Sequence, residues 1–516
     1  MSKDGTMSRT FAFVFPMMPG NLNPSLPIAR HLCKQGHSVH YLCFKQFQDA
    51  ICDTGAVFHD ATTVESELYA TRTPGALGAY EALEEEFGLS GRGYYCVQSL
   101  LANVHLELQL PGILRFLEAV KPNAVVYSPT INREAAMGAE VLKLPTIALN
   151  SFAGPGAYAA AVRKLCGELG FEELDTLVKA FQPNLDAIHR LNATYGLSLK
   201  PGCSYGRLDP LPKLSIVTTL KALRHPEESD LAKAIQEAGA DDLYLGPMLD
   251  VPGAKRAGGF KMVTASGTEA NDTGGYAVSE DEVLAQALAA FKTGRRLVLV
   301  SMGTVATGDH PALGWFGRPV DVDGRPCGLS GRELCRAVWG GVFDAFGAST
   351  ADGGPLLLVV VGPQLDPLGE LSPPPNAVCA RFAPQVDVLR ASPDVFVTHG
   401  GQNSFMESLA ESTPMLVCPT AIDQFDNARL AHELGVGLWV DRPACDQGQE
   451  AAVAASYRAD VRRRLLEIAE PGAAFRARAA AVAEQLRTAG GVPCAAAAIV
   501  RAACGVCAMQ VACGGA

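Results

Sequence analysis

Short runs of consecutive apolar residues alternate with stretches of helical period from one end of the chain to the other. In the first half the runs fall at 11–15, 38–43, 123–127, 145–150, 213–218 and 243–248. Between the first two, Pro24 to Gln35 reads as a helix opened by proline and closed by Gly36. The second half repeats the scheme, with runs at 296–301, 355–361, 394–398 and 414–418. Strands that are apolar throughout are buried on both faces, and strands separated by helices pair in parallel. The pattern predicts an α/β protein of two doubly wound, Rossmann-like domains with a cleft between them.

The boundaries follow from breaks in that pattern. Residues 252–278 are rich in Gly, Ala, Ser and Thr and read as an exposed linker, after which Ser279-Glu-Asp-Glu282 offers a capping box for the next helix. A Gly/Pro-rich stretch at about 307–331 reads as a surface loop, and 457–469 and 474–488 read as helices charged on one face. The expected divisions are a first domain at 8–240, a linker or insertion at 241–285, a second domain at 286–455, closing helices at 456–504 and a disordered tail at 505–516.

Composition narrows the function. Of 516 residues 48% are hydrophobic and 19% charged, ample for sizeable cores, and 43 basic against 54 acidic side chains leave a net charge of −11. Such a chain has no basic excess with which to release counterions from nucleic acid or anionic lipid. No apolar run approaches the roughly 18 residues of a membrane span, and the polar start before Phe11 has too short an apolar stretch after it for a signal peptide. The expectations are no nucleic-acid partner, no integral membrane segment and a cytoplasmic location. Of 15 cysteines, Cys43, Cys379 and Cys418 lie in apolar runs as small hydrophobes. Cys504-x-x-Cys507, in an Ala-rich tail with Cys494 and Cys513, lacks a second well-spaced pair, so no metal site is expected.

The densest chemistry lies between Phe382 and Gln424. Strand 394–398 delivers His399, then Gly400-Gly401, then a helix carrying Gln402, Asn403, Ser404 and Glu407. Glycines let backbone approach a ligand, a helix N-terminus presents N–H groups to an anion, and residues three and four apart share a helical face. The next strand ends at Cys418-Pro419 and is followed by Asp423-Gln424. In an open α/β sheet both loops sit at carboxyl ends of strands, where ligands bind. Singly, a strand-ending His is usually structural and a lone Glu is usually solvated; together, at this spacing, they describe a site for a nucleotide sugar.

Arg381-Phe-Ala-Pro-Gln385, Phe396-Val-Thr-His-Gly-Gly-Gln-Asn-Ser404 with Glu407, Pro414-Met-Leu-Val-Cys-Pro419 and Asp423-Gln-Phe-Asp-Asn427 closely resemble the donor signature of family-1 UDP-dependent glycosyltransferases of the GT-B type, the macrolide and plant secondary-product kind. Phe15-Pro-Met-Met-Pro-Gly-Asn-Leu-Asn-Pro24 is similar to that family's first acceptor loop, and Val298-Leu-Val-Ser-Met-Gly-Thr304 to its diphosphate loop. The end of the chain is similar to the family's last helices, which cross back onto the first domain. The resemblance implies that Gln385 pairs with uracil through its backbone and Glu407 with the ribose. It implies that Gly303, Thr304, His399, Gly401, Asn403 and Ser404 surround the diphosphate, and that Asp423 and Gln424 grip the sugar. Phe382 stands near the family's stacking aromatic, and Gln402 where plant members often have Trp. No metal or other cofactor is implied beyond the UDP-sugar itself.

The pattern breaks at the base. The family's first-loop His removes the acceptor proton and a nearby Asp orients it; the matching positions here are Asn21 and Ser128. An amide does not accept a proton at neutral pH. The implied reaction is inverting transfer of a sugar, glucose being the expectation, from a UDP-sugar to a hydroxyl or other nucleophile of a lipophilic small molecule, with acidic acceptors favoured or another group such as Glu134 as base. The alternatives are a catalytically silent GT-B protein that binds nucleotide sugar as a regulatory or accessory subunit, and an epimerase or hydrolase. A dinucleotide oxidoreductase is disfavoured, since no Gly-x-Gly-x-x-Gly follows the first strand. Leu68, Tyr69, Tyr80, Phe87, Tyr94, Tyr95, Phe152 and Tyr158 read equally as an acceptor pocket or as core. A monomer or weak dimer is expected.

Overall fold

The computed structural model describes residues 7–75, 78–157, 160, 170–203, 210–225, 237, 239–258, 276, 278–310, 313–319, 327–470 and 473–504. The chain forms two compact units, Met1–Ala257 with Ala489–Ala516, and Gly258–Thr488. Each is a parallel sheet covered by helices.

The first unit holds strands β1 (Thr10–Val14), β2 (Ser38–Cys43), β3 (Val57–Asp60), β4 (Ala124–Tyr127), β5 (Thr146–Asn150), β6 (Leu214–Val217) and β7 (Asp241–Tyr244), in the order β3-β2-β1-β4-β5-β6-β7. The second holds β8 (Leu297–Ser301), β9 (Leu356–Val360), β10 (Ala377–Ala380), β11 (Val395–Thr398), β12 (Met415–Val417) and β13 (Gly437–Trp439), in the order β10-β9-β8-β11-β12-β13. Every pairing is parallel; Phe13 lies opposite Tyr41 and Val126, and Val300 opposite Val359 and Val397. Central strands β1, β4, β5, β8, β11 and β12 are buried almost throughout, as uninterrupted apolar runs require. Strand order reverses between β1 and β4 in one sheet and between β8 and β11 in the other. Chains leaving neighbouring strands at such a point diverge to opposite faces, which opens a crevice at the carboxyl ends.

After β1 a short helix at Pro19–Leu22 precedes the expected one, which runs Ser25–Lys34, and Ser279 caps Glu280–Thr293 with the reciprocal Glu282 contact. Three expectations need correction. Residues from 241 to 257 are part of the first unit rather than a linker: β7 extends the sheet beside β6, and Asp250 pairs with Arg30 at 2.9 Å. The described part of 307–331 is not a surface loop. Leu313, Trp315 and Leu329 are buried, with Trp315 6.1 Å from Trp339, because bulky apolar side chains outweigh the Gly/Pro content around them. The closing helices do not act as one block. Glu450–Ile468 packs on Gly331–Phe346, where Gly340 and Gly341 admit Arg458 and Val461 and Arg458 pairs with Asp344 at 2.6 Å. Phe475–Arg487 stays with the second unit, packing on Gln402–Ala410. Only Gly491–Ala502, through Ala495, Ala496, Ala498 and Ile499, joins the first core against Ser25–Lys34. Most of 252–278 and all of 505–516 lie outside the described residues.

Candidate active site

The second unit's crevice is built around His399, the first residue beyond β11. Beside it, the chain leaving β8 turns at Gly303, whose φ of 74° suits glycine and whose missing side chain leaves room for the His399 ring. A Cβ on Gly303 or on Gly401 would overlap that ring, and a Cβ on Gly400 (φ 80°) would overlap Val417. Thr398 Oγ1 accepts from the Gly400 N–H at 3.2 Å, and Asn427 Nδ2 donates to the Gly400 carbonyl at 2.8 Å. The double-glycine turn is thereby held from both sides.

Helix Gln402–Ala410 starts immediately after it, with Gly401 as N-cap and no capping side chain on that residue. Asp423 Oδ2 accepts from the Gln402 N–H at 3.2 Å and lies 3.4 Å from Asn427 Nδ2. On the same helix, Ser404 and Glu407 are buried, and Gln385 Nε2 donates to both, at 3.1 Å and 2.7 Å. Gln385, Ser404 and Glu407 therefore form one polar edge at the helix start. Thr304, Phe382 and Asn403 are half-buried around this crevice's elements. Gln424 is buried, and its Oε1 is fully engaged inside its own loop, accepting from Thr420 N at 2.7 Å, Thr420 Oγ1 at 2.8 Å and Ala421 N at 3.1 Å. Only the amide hydrogens of Gln424 remain for a ligand. Gln402 is buried with neither side-chain amide atom bonded.

Burial pushes the His399 imidazole down to about 4, against the opposing effect of its bond to the Ser301 carbonyl, so the ring is neutral at physiological pH. Charge on a bound diphosphate would thus meet N–H dipoles at a helix start rather than an imidazolium. Burial also pushes the Asp423 carboxyl up to about 7, beyond what its hydrogen bonds offset. The sign follows: a carboxyl raised above its unfolded value stabilises the fold fully below that unfolded value and loses the contribution as pH rises through about 7. Thermal melting of the ligand-free protein between pH 6 and 8 should therefore show a fall in Tm that Asp423→Asn reduces. An identical fall in the variant would show that Asp423 ionises normally.

Two supports lie outside the site residues that the sequence marks. Asn427 closes the Gly400 turn. Arg442, cationic although burial draws it down to about 10, spans from the Thr420 carbonyl (2.5 Å) to the Leu329 carbonyl (2.7 Å) and braces the Asp423 loop. Asn427 lay inside a recognised motif without an assigned part; Arg442 had only a lone arginine's pattern.

In the first unit, Asn21 and Ser128 come together at the reversal of strand order. Asn21 Nδ2 donates to Ser128 Oγ at 3.0 Å, and to Thr130 Oγ1 and Ser151 Oγ at 3.2 Å each. Asn21 follows β1, Ser128 follows β4 and Ser151 follows β5. Glu134 lies in the helix after that loop, buried, with Asn132 Nδ2 at 2.8 Å from Oε1; burial pushes it up to about 7. Leu68, Tyr69 and Tyr80 belong to the first core, and Tyr80 stacks on His105 at 4.3 Å. Phe87, Tyr94, Tyr95 and Phe152 are half-buried, and Tyr158 lies outside the described residues. His40 and His59, which showed no partner in the sequence, face each other at 3.0 Å, and His37 accepts from the Arg9 N–H.

Comparison with known proteins bears on both units. Residues 370–453 match the family described as UDP-glucoronosyl and UDP-glucosyl transferase. The oleandomycin glycosyltransferase of Streptomyces antibioticus is 38% identical over 129 residues, 23% of this chain and 29% of that protein. The matched stretch thus spans less than a third of that relative. The NDP-glycosyltransferase YjiC of Bacillus subtilis (strain 168) is 22% identical over 476 residues, covering 89% of this chain and 93% of its own. Among solved structures, the glycosyltransferase of kitacinnamycin superimposes with a TM-score of 0.58 at 22% identity, over 96% of this chain and all (100%) of that one. The fold is GT-B. The segment that matches the UDP-glucoronosyl and UDP-glucosyl transferase family, 370–453, is the one that carries the Phe382–Gln424 cluster. Among the described residues no helix is long and apolar enough to cross a membrane.

Proposed function

We propose that this protein transfers a hexosyl group, glucose first among candidates, from a UDP-sugar to an oxygen nucleophile of a lipophilic small molecule, with inversion at the anomeric carbon. The observation that carries this reading is the polar edge at one helix start, where Gln385, Ser404 and Glu407 are hydrogen-bonded beside the His399–Gly303 turn. Glu407 supplies acceptors for a vicinal diol. The glycine turn and the first turn of helix Gln402–Ala410 supply N–H groups for a diphosphate. Asp423 and the amide hydrogens of Gln424 offer an acceptor and donors to sugar hydroxyls. The matched family's name supports uridine as the base, and the names of the relatives support sugar transfer.

In this mechanism the departing diphosphate is stabilised by neutral donors fixed before the reaction, and no metal ion is required. The test is transfer itself. Purified protein incubated with UDP-glucose and related UDP-sugars and a panel of phenols, alcohols and carboxylic acids should give glycosides by mass spectrometry, equally well in chelator. No product with any pair, while UDP still binds, would favour the silent nucleotide-sugar-binding protein.

A further inference from the structure

The cluster around Asn21 has a hydrogen-bond imbalance. An amide group carries two N–H hydrogens, and Ser128, Thr130 and Ser151 carry one hydroxyl hydrogen each. The amide hydrogens go to hydroxyl oxygens, and one hydroxyl hydrogen is used between Ser128 and Thr130 at 3.2 Å. Among the described residues, no other group bonds to these four side chains, so two hydroxyl hydrogens have no protein acceptor. As placed, Asn21 Oδ1 is unbonded among the described residues as well; turned over, the amide gives its oxygen to the hydroxyls and its two N–H hydrogens face outward, so in either orientation two donor hydrogens have no protein acceptor. Among the described residues, neither an imidazole nor a carboxylate is hydrogen-bonded to the four. Asn21, Ser128 and Ser151 are buried and Thr130 is half-buried, so Thr130 is the exposed edge of the group.

A buried group with surplus donors and no base is complementary to an oxygen that has already lost its proton. Resting on the glycosyltransferase reading above, we propose that Asn21, Ser128, Thr130 and Ser151 form an oxyanion-binding nest that receives the acceptor as an anion, so that the acceptor class is phenols, enols and carboxylic acids. The acceptor's proton leaves to solvent before binding. Its oxygen then attacks the anomeric carbon with its own electron pair, the new C–O bond forms, the bond to the diphosphate breaks, and UDP departs with the bonding pair. No proton changes hands inside the site. Thr130 and Ser151 thereby gain a part in acceptor selection beside positions 21 and 128.

The test uses 4-nitrophenol as the probe, because its phenolate is coloured and its ionisation is read without any turnover. The absorbance of 4-nitrophenol bound to the full-length protein should titrate about one pH unit or more below the free compound, as donors to a charged form lower a pKa. Ser151→Ala, and Thr130→Val with it, should return the bound value toward the free one, while Thr130→Ser keeps it low. Equal melting temperatures establish that the variants are folded. A bound value equal to or above that of the free phenol, no binding, or no response to the hydroxyl deletions would overturn the nest. A parallel series of phenols with UDP-glucose separates the two readings. Ionised binding without any transfer would sink the transferase and keep the nest, whereas transfer at rates blind to phenol acidity would keep the transferase and sink the nest.

Discussion

Valine at position 303 should lower the affinity for UDP by about 100-fold or more. Gly303 sits at φ 74°, where a residue with a side chain loses about 1–2 kcal/mol before any contact is counted. A β-branched residue is worse placed there than most. Its Cβ would also occupy the space of the His399 ring, which is hemmed in by Gly401 and tied to the Ser301 carbonyl. Either the ring swings away or the chain leaving β8 moves, and both displace the groups set around the anion. At about 1.4 kcal/mol per tenfold, the conformational cost and a modest displacement reach two orders of magnitude. Gly303→Ala should show the same sign with a smaller loss. Melting temperature decides whether the variant is folded; unchanged UDP affinity in a folded valine variant would remove His399 and Gly303 from the site.

Exchange of Asn21→His together with Ser128→Asp should raise the rate on aliphatic alcohols by about 100-fold, the lower end of what general-base assistance contributes. Side chains 21 and 128 already meet at 3.0 Å, so an imidazole and a carboxylate placed there begin within hydrogen-bond reach. An alcohol keeps its proton at neutral pH and gains from a base, whereas a phenol is largely relieved of that need. The gain on phenols should therefore be smaller, and Asn21→His alone should give less than the pair. The wild-type rate on a phenol should rise with pH as the phenolate fraction grows. Wild-type protein that glycosylates alcohols and phenols alike, with one enzyme group titrating near neutrality, would point to a base elsewhere; Glu134, raised to about 7, is the group to substitute next.

What the sequence disclosed, and what it hid, follows from burial. The central strands were legible because both faces are covered, which leaves apolar runs such as Leu297–Ser301 and Val395–Thr398. The three strands without such a run, Val57–Asp60, Ala377–Ala380 and Gly437–Trp439, are all sheet edges, three or four residues long. An edge strand pairs on one side only and need not be apolar throughout. The linker was placed too early because β7, another edge, begins with Asp241-Asp242.

Most of the residues proposed to hold the donor, Gly303 and Thr304 apart, stood out as a group because they lie within one stretch, 382–424, and local spacing on a strand, a turn and a helix fixes who shares a face. Gln385 with Glu407 is the exception that a motif could carry but spacing alone could not: the two are 22 residues apart and meet at 2.7 Å. The Asn21 group shows the limit more sharply. Thr130 and Ser151 are ordinary residues in sequence, and only parallel pairing of β1, β4 and β5 brings them to one amide. Likewise Arg442 becomes informative only when its two carbonyl partners, Thr420 and Leu329, are seen on different loops.

The central claim is that the crevice of the second sheet holds the nucleotide part of a sugar donor, and a calorimetric titration with UDP tests it directly. Wild-type protein should bind one UDP per chain, with the same affinity in chelator, and Glu407→Ala should bind at least about tenfold more weakly through loss of a charge-assisted pair of ribose hydrogen bonds. Wild-type protein that does not bind UDP, or a folded Glu407→Ala variant that binds it as tightly as wild type, would contradict the account.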